Sequence, residues 1–279
     1  MRIVTYRSER GDRAGILLGD GIVDSWDALG GGGSTVRELL ASHRLEELRG
    51  ATESASATGL SDAELLPPVP NPDKIVCIGL NYRAHAAEAG IDPPESPTFF
   101  AKFRNALAPP GATVSLPAAS RKVDFEAEIA FVIGQRCTEV GEVEAGGYVG
   151  GYVLFNDLSA RDLQFATPQW MPGKVFDGSA PCGPALVTPD EAEIDGTISF
   201  SLELNGDVMQ EASTDDLIFG IPQLVAHLSR LMTLEPGDIV ATGTPSGVGS
   251  TRDPRVWLKP GDEIVISSPT LGRLETRLA

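Results

Sequence analysis

The chain has 279 residues, enough for one large domain with a small one beside it, and a chain of this length buries roughly 75% of its unfolded surface. Its 42% hydrophobic and 22% charged residues are ordinary for a globular protein. The net charge of −17, from 22 basic and 39 acidic residues, makes a poor surface for nucleic acid. No apolar run reaches the ~20 residues of a membrane span, so neither nucleic acid nor membrane is an expected partner. The same charge disfavours long-range steering of anions; an anionic substrate would need the field reversed locally, as a metal ion can do. Cys77, Cys137 and Cys182 are odd in number and widely spaced, which argues against a disulfide framework and against a thiolate zinc site. The opening Met1–Arg7 lacks the apolar core of a signal peptide and reads as a strand, so the cytoplasm is the expected location.

Residues 1–68 read as a small N-terminal α+β unit and residues 69–279 as a larger, mainly β unit. Short β-type runs at Arg2–Tyr6, Gly15–Leu18 and Gly21–Val23 are separated by Gly and Asp turns. A helix capped by Thr35 follows, with Val36, Leu39 and Leu40 at helical spacing. The Pro-rich run Leu66–Pro72 is the expected linker. Beyond it, Lys74–Gly79 reads as a buried strand. Asn81 is expected to cap a short helix over Tyr82–Ala89, ended by Gly90. Phe125–Ile133 and Tyr148–Asn156 read as strands. Asn205-Gly206 predicts a hairpin between Ile198–Leu204 and Val208–Gln210. Pro222–Met232 is an amphipathic helix with Leu224, Val225, Leu228, Leu231 and Met232 on one face, and Gly237–Thr242 and Asp262–Ser267 are late strands. Many strands and few helices predict an α+β, mainly β fold, a mixed β-sandwich or roll.

Several short constellations carry chemistry. In Asp124-Phe125-Glu126-Ala127-Glu128 the two glutamates are two apart on a strand and project from one face. Alone this is compatible with a solvated acidic edge, but Ile129–Ile133 continues as an interior strand, and buried paired carboxylates need a compensating cation. Asp157 stands where the apolar strand Tyr148–Phe155 leaves the sheet, placed either as a third ligand or as a helix N-cap. Three carboxylates are hard oxygen donors that suit Mg²⁺ or Mn²⁺ better than Zn²⁺. His85 and Glu88 are helical neighbours at i and i+3, an arrangement that fixes an imidazole tautomer and raises its basicity, although such pairs are also common on surfaces. Lys174, after the Pro-rich loop Thr167–Pro172, is placed to stabilise developing negative charge or simply to be solvated. The glycines of Thr242–Gly249 permit close backbone approach to a ligand; the run is neither a phosphate loop nor a dinucleotide fingerprint.

Taken together, Ile78–Tyr82 with His85 and Glu88, Phe100-Ala101-Lys102, Asp124–Glu128, Asn156-Asp157 to Arg161-Asp162, Gly173-Lys174 and Thr242–Pro245 resemble the fumarylacetoacetate hydrolase family in content and order. The resemblance runs from about Lys74 to Gly249. It implies a mixed β-sandwich roll with a small N-terminal domain, and usually a homodimer. It implies Mg²⁺, or Mn²⁺, held by Glu126, Glu128 and Asp157. It implies catalytic roles for His85, Glu88 and Lys174, with His85 and Glu88 on a short lid helix, and substrate contacts from Gln164, Thr244, Arg161 and Lys102. The implied reaction is hydrolytic cleavage of a C–C bond in a small 2-oxo acid of the 2,4-dioxo type, an acylpyruvate or fumarylpyruvate, through a pyruvate-like enolate. Oxaloacetate decarboxylation or tautomerisation, and hydration or isomerisation of a 2-oxo enoate, use the same enolate and stand as alternatives. A non-catalytic metal-binding scaffold is the alternative from another class. The segment from Asp157 to Lys174 is shorter than in some acylpyruvate-cleaving members, which leaves the substrate's distal group open.

Overall fold

The computed structural model describes residues 1–52, 58–59, 63–193 and 196–279. Two sheets face each other. The strands of the larger are β1 (Arg2–Ser8), β2 (Gly11–Leu18), β3 (Gly21–Asp24), β4 (Ile75–Gly79), β5 (Thr98–Lys102), β6 (Ala127–Ile133), β7 (Val149–Asn156), β8 (Ala180–Val187) and β11 (Ile239–Ala241), in the order β3-β2-β1-β8-β7-β6-β11-β4-β5, with short strands added at its margins. The smaller has β9 (Ser199–Leu204), β10 (Asp207–Ser213), β12 (Glu263–Ser268) and β13 (Gly272–Leu278), in the order β10-β9-β12-β13, with Thr113–Val114 beyond β13. This is the mainly β, mixed-sheet architecture expected from the sequence. Among the described residues no helix is long and apolar enough to cross a membrane.

The strand periodicity explains the layers. Along β6 every residue is buried, but alternate side chains enter different cores. Ile129, Phe131 and Ile133 pack between the sheets with Leu154, Phe200, Leu202 and Ile266. Ala130 and Val132 pack on the other face with Val153, Phe155, Cys77 and Ile239. That second core also takes in Ile3, Ile16, Leu39 and Leu40. β1 pairs antiparallel with β8 through Arg2↔Val187 and Ile3↔Leu186, so the N-terminal strands extend the sheet that carries the later motifs.

Local signals account for most elements. Thr35 caps α1 (Val36–Ala41) by accepting from the Glu38 N–H. Asn205 and Gly206 turn the β9–β10 hairpin with φ of 54° and 89°. Gly90 ends α2 (Arg83–Ala89) in the left-handed region, with φ of 66°.

Two local expectations give way to tertiary contacts. Asn81 does not cap α2; Tyr82 occupies that position without a side-chain cap bond. Asn81 is fully buried instead. Its amide donates to Thr242 O at 2.9 Å and Phe219 O at 3.2 Å and accepts from Phe219 N at 2.8 Å, tying the end of β4 to the segments around β11 and α3 (Ile221–Leu231). On α3, Leu231 is exposed and not part of the buried face. That face includes Ser229, whose hydroxyl accepts from the buried Val140 N–H at 3.1 Å.

Asn81→Ala should therefore lower unfolding stability by about 2–3 kcal/mol, because it orphans backbone groups of two other segments. Denaturant unfolding of the variant beside wild type checks this; a change under ~0.5 kcal/mol would show that Asn81 does not clamp the fold.

Candidate active site

The register of the two central strands builds the site. Ala127 lies opposite Asn156, and Glu128 opposite Phe155. The ladder continues one step further, with Asp157 N–H donating to Glu126 O at 2.9 Å. Glu126 and Glu128 share the face of Ala130 and Val132, and Asp157 shares the face of Phe155 and Val153. The three carboxylates thus meet at one end of the sheet, one oxygen from each lying within 4.8 Å of the others. All three are buried.

Their charges are unequally compensated. Glu126 pairs with Arg161 at 2.7 Å and with Lys174 at 2.6 Å. Asp157 pairs with Lys174 at 2.6 Å and with Lys102 at 2.7 Å. Among the described residues, the hydrogen-bond partner of Glu128 is the Gly243 N–H at 2.8 Å. Asp124, also buried, accepts from Gly249 N, Ser250 N and Arg161 at 2.7–3.0 Å. Four buried carboxylates, Asp124, Glu126, Glu128 and Asp157, therefore face three buried cations, Lys102, Arg161 and Lys174. Burial alone would raise the Glu126 carboxyl, but Arg161 and Lys174 overcome it and hold it at about 2. Burial, Asp157 and Glu126 drive Glu128 well above the usual carboxylate range, with only partial relief from Lys174 and Gly243. Burial disfavours the Lys174 ammonium, yet Asp157 and Glu126 outweigh it and keep the group charged.

This donor set fits a divalent cation. Three clustered carboxylates with one charge uncompensated offer hard oxygens and an electrostatic deficit of the right sign. A thiolate does not join them: Cys77 is buried nearby with its pKa pushed up by burial and by Asp157 and Glu128.

A cavity of about 220 Å³ opens over the triad. Glu126, Glu128, Asp157, Arg161, Gln164, Lys174, Thr244 and His85 all line it, with Ile78, Phe100 and Trp170 among its apolar walls. Trp170 packs edge-on against Phe100, centroids 5.9 Å apart. It also lies against Gly79, where any Cβ would collide with its ring. Lys174 Nζ sits 4.8 Å from the centre of the Phe100 ring. Gly173, just before it, packs so closely on Ala160 and Gln164 that a side chain there would displace the loop.

His85 and Glu88 project from α2, with Nδ1 and Oε2 3.2 Å apart. The second oxygen of Glu88 accepts from Gly247 N at 3.0 Å, so the helix is tethered to the glycine-rich loop after Thr244. With Nδ1 turned to Glu88, Nε2 is the ring atom left for a ligand.

Of the residues singled out in the sequence, the structure gathers Glu126, Glu128, Asp157, Lys174, Arg161, Gln164, Thr244 and His85 around one cavity, with Glu88 behind His85. Lys102 lies apart from the cavity wall, behind Asp157, where it also reaches Leu158 O at 3.4 Å. Arg161 spans Asp124, Glu126 and Gln164, the last at 3.0 Å. Two residues given no role by the sequence reading stand out. Asp124 anchors both Arg161 and the Gly249–Ser250 turn, and the buried Gln210 reaches Thr244 from the second sheet at 2.9 Å. Only the adjacency of Asp124 to Glu126 was visible in the sequence. Nothing local marks Gln210.

Comparison with known proteins agrees with this geometry. The family model for the fumarylacetoacetate (FAA) hydrolase C-terminal domain matches residues 74–279. A Bos taurus protein named oxaloacetate tautomerase FAHD2A, mitochondrial, is 41% identical over 214 residues, covering 76% of this chain and 68% of its own. Fumarylacetoacetate hydrolase of Exiguobacterium antarcticum superposes with a TM-score of 0.86 at 29% identity, over 100% of this chain and 99% of the other. Maleylpyruvate hydrolase of Sphingobium sp. SYK-6, solved with manganese(II) and pyruvate, superposes with a TM-score of 0.83 at 32% identity, over 100% and 99%. The three relatives just described carry the names of enzymes, and with the match to the family model spanning most of its length, the chain belongs to the fumarylacetoacetate hydrolase family.

Proposed function

We propose that this chain is a divalent-metal enzyme that moves a proton at the carbon beside the keto group of a small 2-oxo acid, with oxaloacetate the first candidate. The observation that carries the reading is the placement of the His85–Glu88 pair and the three buried carboxylates around one cavity. The sequence similarity to an oxaloacetate tautomerase supports it. Glu126, Glu128 and Asp157 would hold Mg²⁺ or Mn²⁺, which supplies Lewis acidity at the keto oxygen, an effect of several kcal/mol.

The chain's own groups divide the remaining work. Glu88 holds the Nδ1–H tautomer of His85, so Nε2 acts as the base that takes the proton from C3. Lys174 uses two N–H groups on Glu126 and Asp157, and its third is available to the negative charge that develops on the keto oxygen. Lys102 acts by fixing Asp157, and Arg161 by fixing Glu126. Phe100, Trp170 and Ile78 keep water from the reacting carbon.

Hydrolysis of a 2,4-dioxo acid, the reaction first expected from the sequence, is the second reading, and the likeness to maleylpyruvate hydrolase favours it. There His85 would take its proton from water, whose oxygen attacks the C4 carbonyl. The C3–C4 bond then breaks, its electron pair stays on C3, and protonation gives pyruvate and a carboxylic acid. The two readings separate in one screen: oxaloacetate tautomerisation followed by ultraviolet absorbance, and pyruvate release from acylpyruvates, both with Mg²⁺. Activity in neither assay would overturn the proposal. A cytoplasmic homodimer completes the proposal, without nucleic-acid or membrane partners. Sedimentation should show a dimer at micromolar concentration, and a stable monomer would remove that part.

Metal dependence has its own test. Metal-free protein should gain about 5 °C in Tm at a hundredfold excess of Mg²⁺ or Mn²⁺ over Kd. Glu128→Gln should abolish that gain while leaving the metal-free protein no less stable, since it replaces a carboxyl that burial, Asp157 and Glu126 already drive toward its neutral form. Asp162→Asn, which alters a contact to Ser120 away from the triad, should keep the gain. Because Glu128 is raised in the folded state, metal-free protein should lose stability as pH rises above the ordinary value of 4.5. There the unfolded chain has released a proton that the folded chain still holds. Thermal melts with and without metal across that range read the effect; an identical response in the Glu128 and Asp162 variants would mean the ligands are misassigned.

His85→Ala should lower kcat by ~10²–10⁴-fold with metal affinity near wild type. Glu88→Ala should act in the same direction but less, because imidazole keeps some basicity without its partner. Turnover and metal titration on the same preparations decide, and normal turnover by His85→Ala would reduce the pair to a surface contact.

A further inference from the structure

We propose that Gln210 is a positioning residue that sets the Thr244 hydroxyl as a hydrogen-bond donor to an anionic ligand; the inference rests on the 2-oxo acid reading above. Gln210 lies on β10, in the second sheet, and is 2% exposed. Its amide is engaged by three groups from elsewhere in the chain, which use both of its N–H donors. Oε1 accepts from Ala127 N at 2.9 Å, and Nε2 donates to Thr244 Oγ1 at 2.9 Å and to Pro245 O at 3.0 Å.

The orientation of this amide is dictated by its partners. A backbone N–H can only donate, so Ala127 must face Oε1; a carbonyl can only accept, so Pro245 must face Nε2. The nitrogen that serves Pro245 also reaches Thr244, and the Thr244 oxygen is therefore the acceptor in that bond. A hydroxyl that accepts from its neighbour keeps its own proton for another acceptor. Thr244 is buried apart from its place on the cavity wall beside the triad. Its proton is thus left for a ligand oxygen, and a carboxylate or enolate oxygen is the acceptor that the site's chemistry calls for.

The same amide also holds the backbone between Glu126 and Glu128 through Ala127. One side chain therefore keeps the Thr244 donor in register with the two metal-binding glutamates. Gln210 itself does not line the cavity, so its effect on a ligand runs through Thr244.

Oxalate, a planar dianion resembling enolpyruvate, is the probe, titrated calorimetrically into the Mn²⁺-loaded full chain. Gln210→Met should weaken oxalate about tenfold while Mn²⁺ affinity stays within about threefold. In a Thr244→Val background, Gln210→Met should weaken oxalate no further, because the donor it sets is already gone. A residue that merely supports the fold would weaken oxalate in both backgrounds, and equal losses in the two would overturn the assignment. Unchanged oxalate binding by Gln210→Met in the wild-type background would overturn it too. If the Met variant does not fold, Gln210→Glu enters the same cycle; it keeps the acceptor for Ala127, and its added charge acts in both backgrounds and cancels. Failure of the wild-type Mn²⁺ protein to bind oxalate would instead overturn the functional reading beneath the assignment.

Discussion

Burying one more carboxylate than the surrounding cations can neutralise is the constraint on which the rest of this structure depends. Asp124, Glu126, Glu128 and Asp157 lie inside the protein with Lys102, Arg161 and Lys174. An uncompensated charge there costs several kcal/mol, and the arrangement that carries it concentrates the deficit on Glu128. Every nearby cation is already committed to another carboxylate. Backbone N–H groups from Gly243 and Gly249 help because glycine lets the chain approach: at Gly249 a Cβ would meet Asp124 and the Val256 carbonyl. The surrounding fold keeps the carboxylates of Glu126, Glu128 and Asp157 close enough together that a divalent cation is favoured at their centre.

The sequence makes some of this legible and hides the rest for physical reasons. Glu126 and Glu128 could be read as a pair because strand parity is a local rule, and the run Ile129–Ile133 announced their burial. Asp157 was readable only as a carboxylate at a strand end. Its meeting with the glutamates depends on the Ala127↔Asn156 register, a pairing between segments some thirty residues apart. Lys102 carries a charge that invites a surface or ligand-facing reading, yet it stands behind Asp157, a position set by β5 at the far side of the sheet from β7. Gln210 and Asn81 were opaque for a shared reason. Their amides join segments distant in sequence, and a local rule such as helix capping cannot anticipate a side chain whose partners lie 34 to 161 residues away.

The division of the chain shows a related effect. The Pro-rich run after Leu66 looks like a linker, and the strands before it have their own turns. Yet β1 hydrogen-bonds to β8, and Ile3, Ile16 and Leu39 pack in one core with Cys77, Ala130 and Phe155. The face of the sheet that carries the carboxylates is thus sealed in part by the first forty residues. Hydrophobic patterning identified these strands as strands, but it carries no information about which sheet edge they will join.

Glu88 has two carboxylate oxygens and uses them on different parts of the molecule, one on His85 and one on the Gly247 N–H. Orienting the imidazole and tying the helix to the loop therefore fall to a single carboxylate. A displacement of α2 from the glycine loop would break the Gly247 contact and leave the carboxylate that orients the imidazole held at one oxygen instead of two. The run of contacts from the His85 ring through Glu88 to Gly247 is thus complete only while helix and loop stay together.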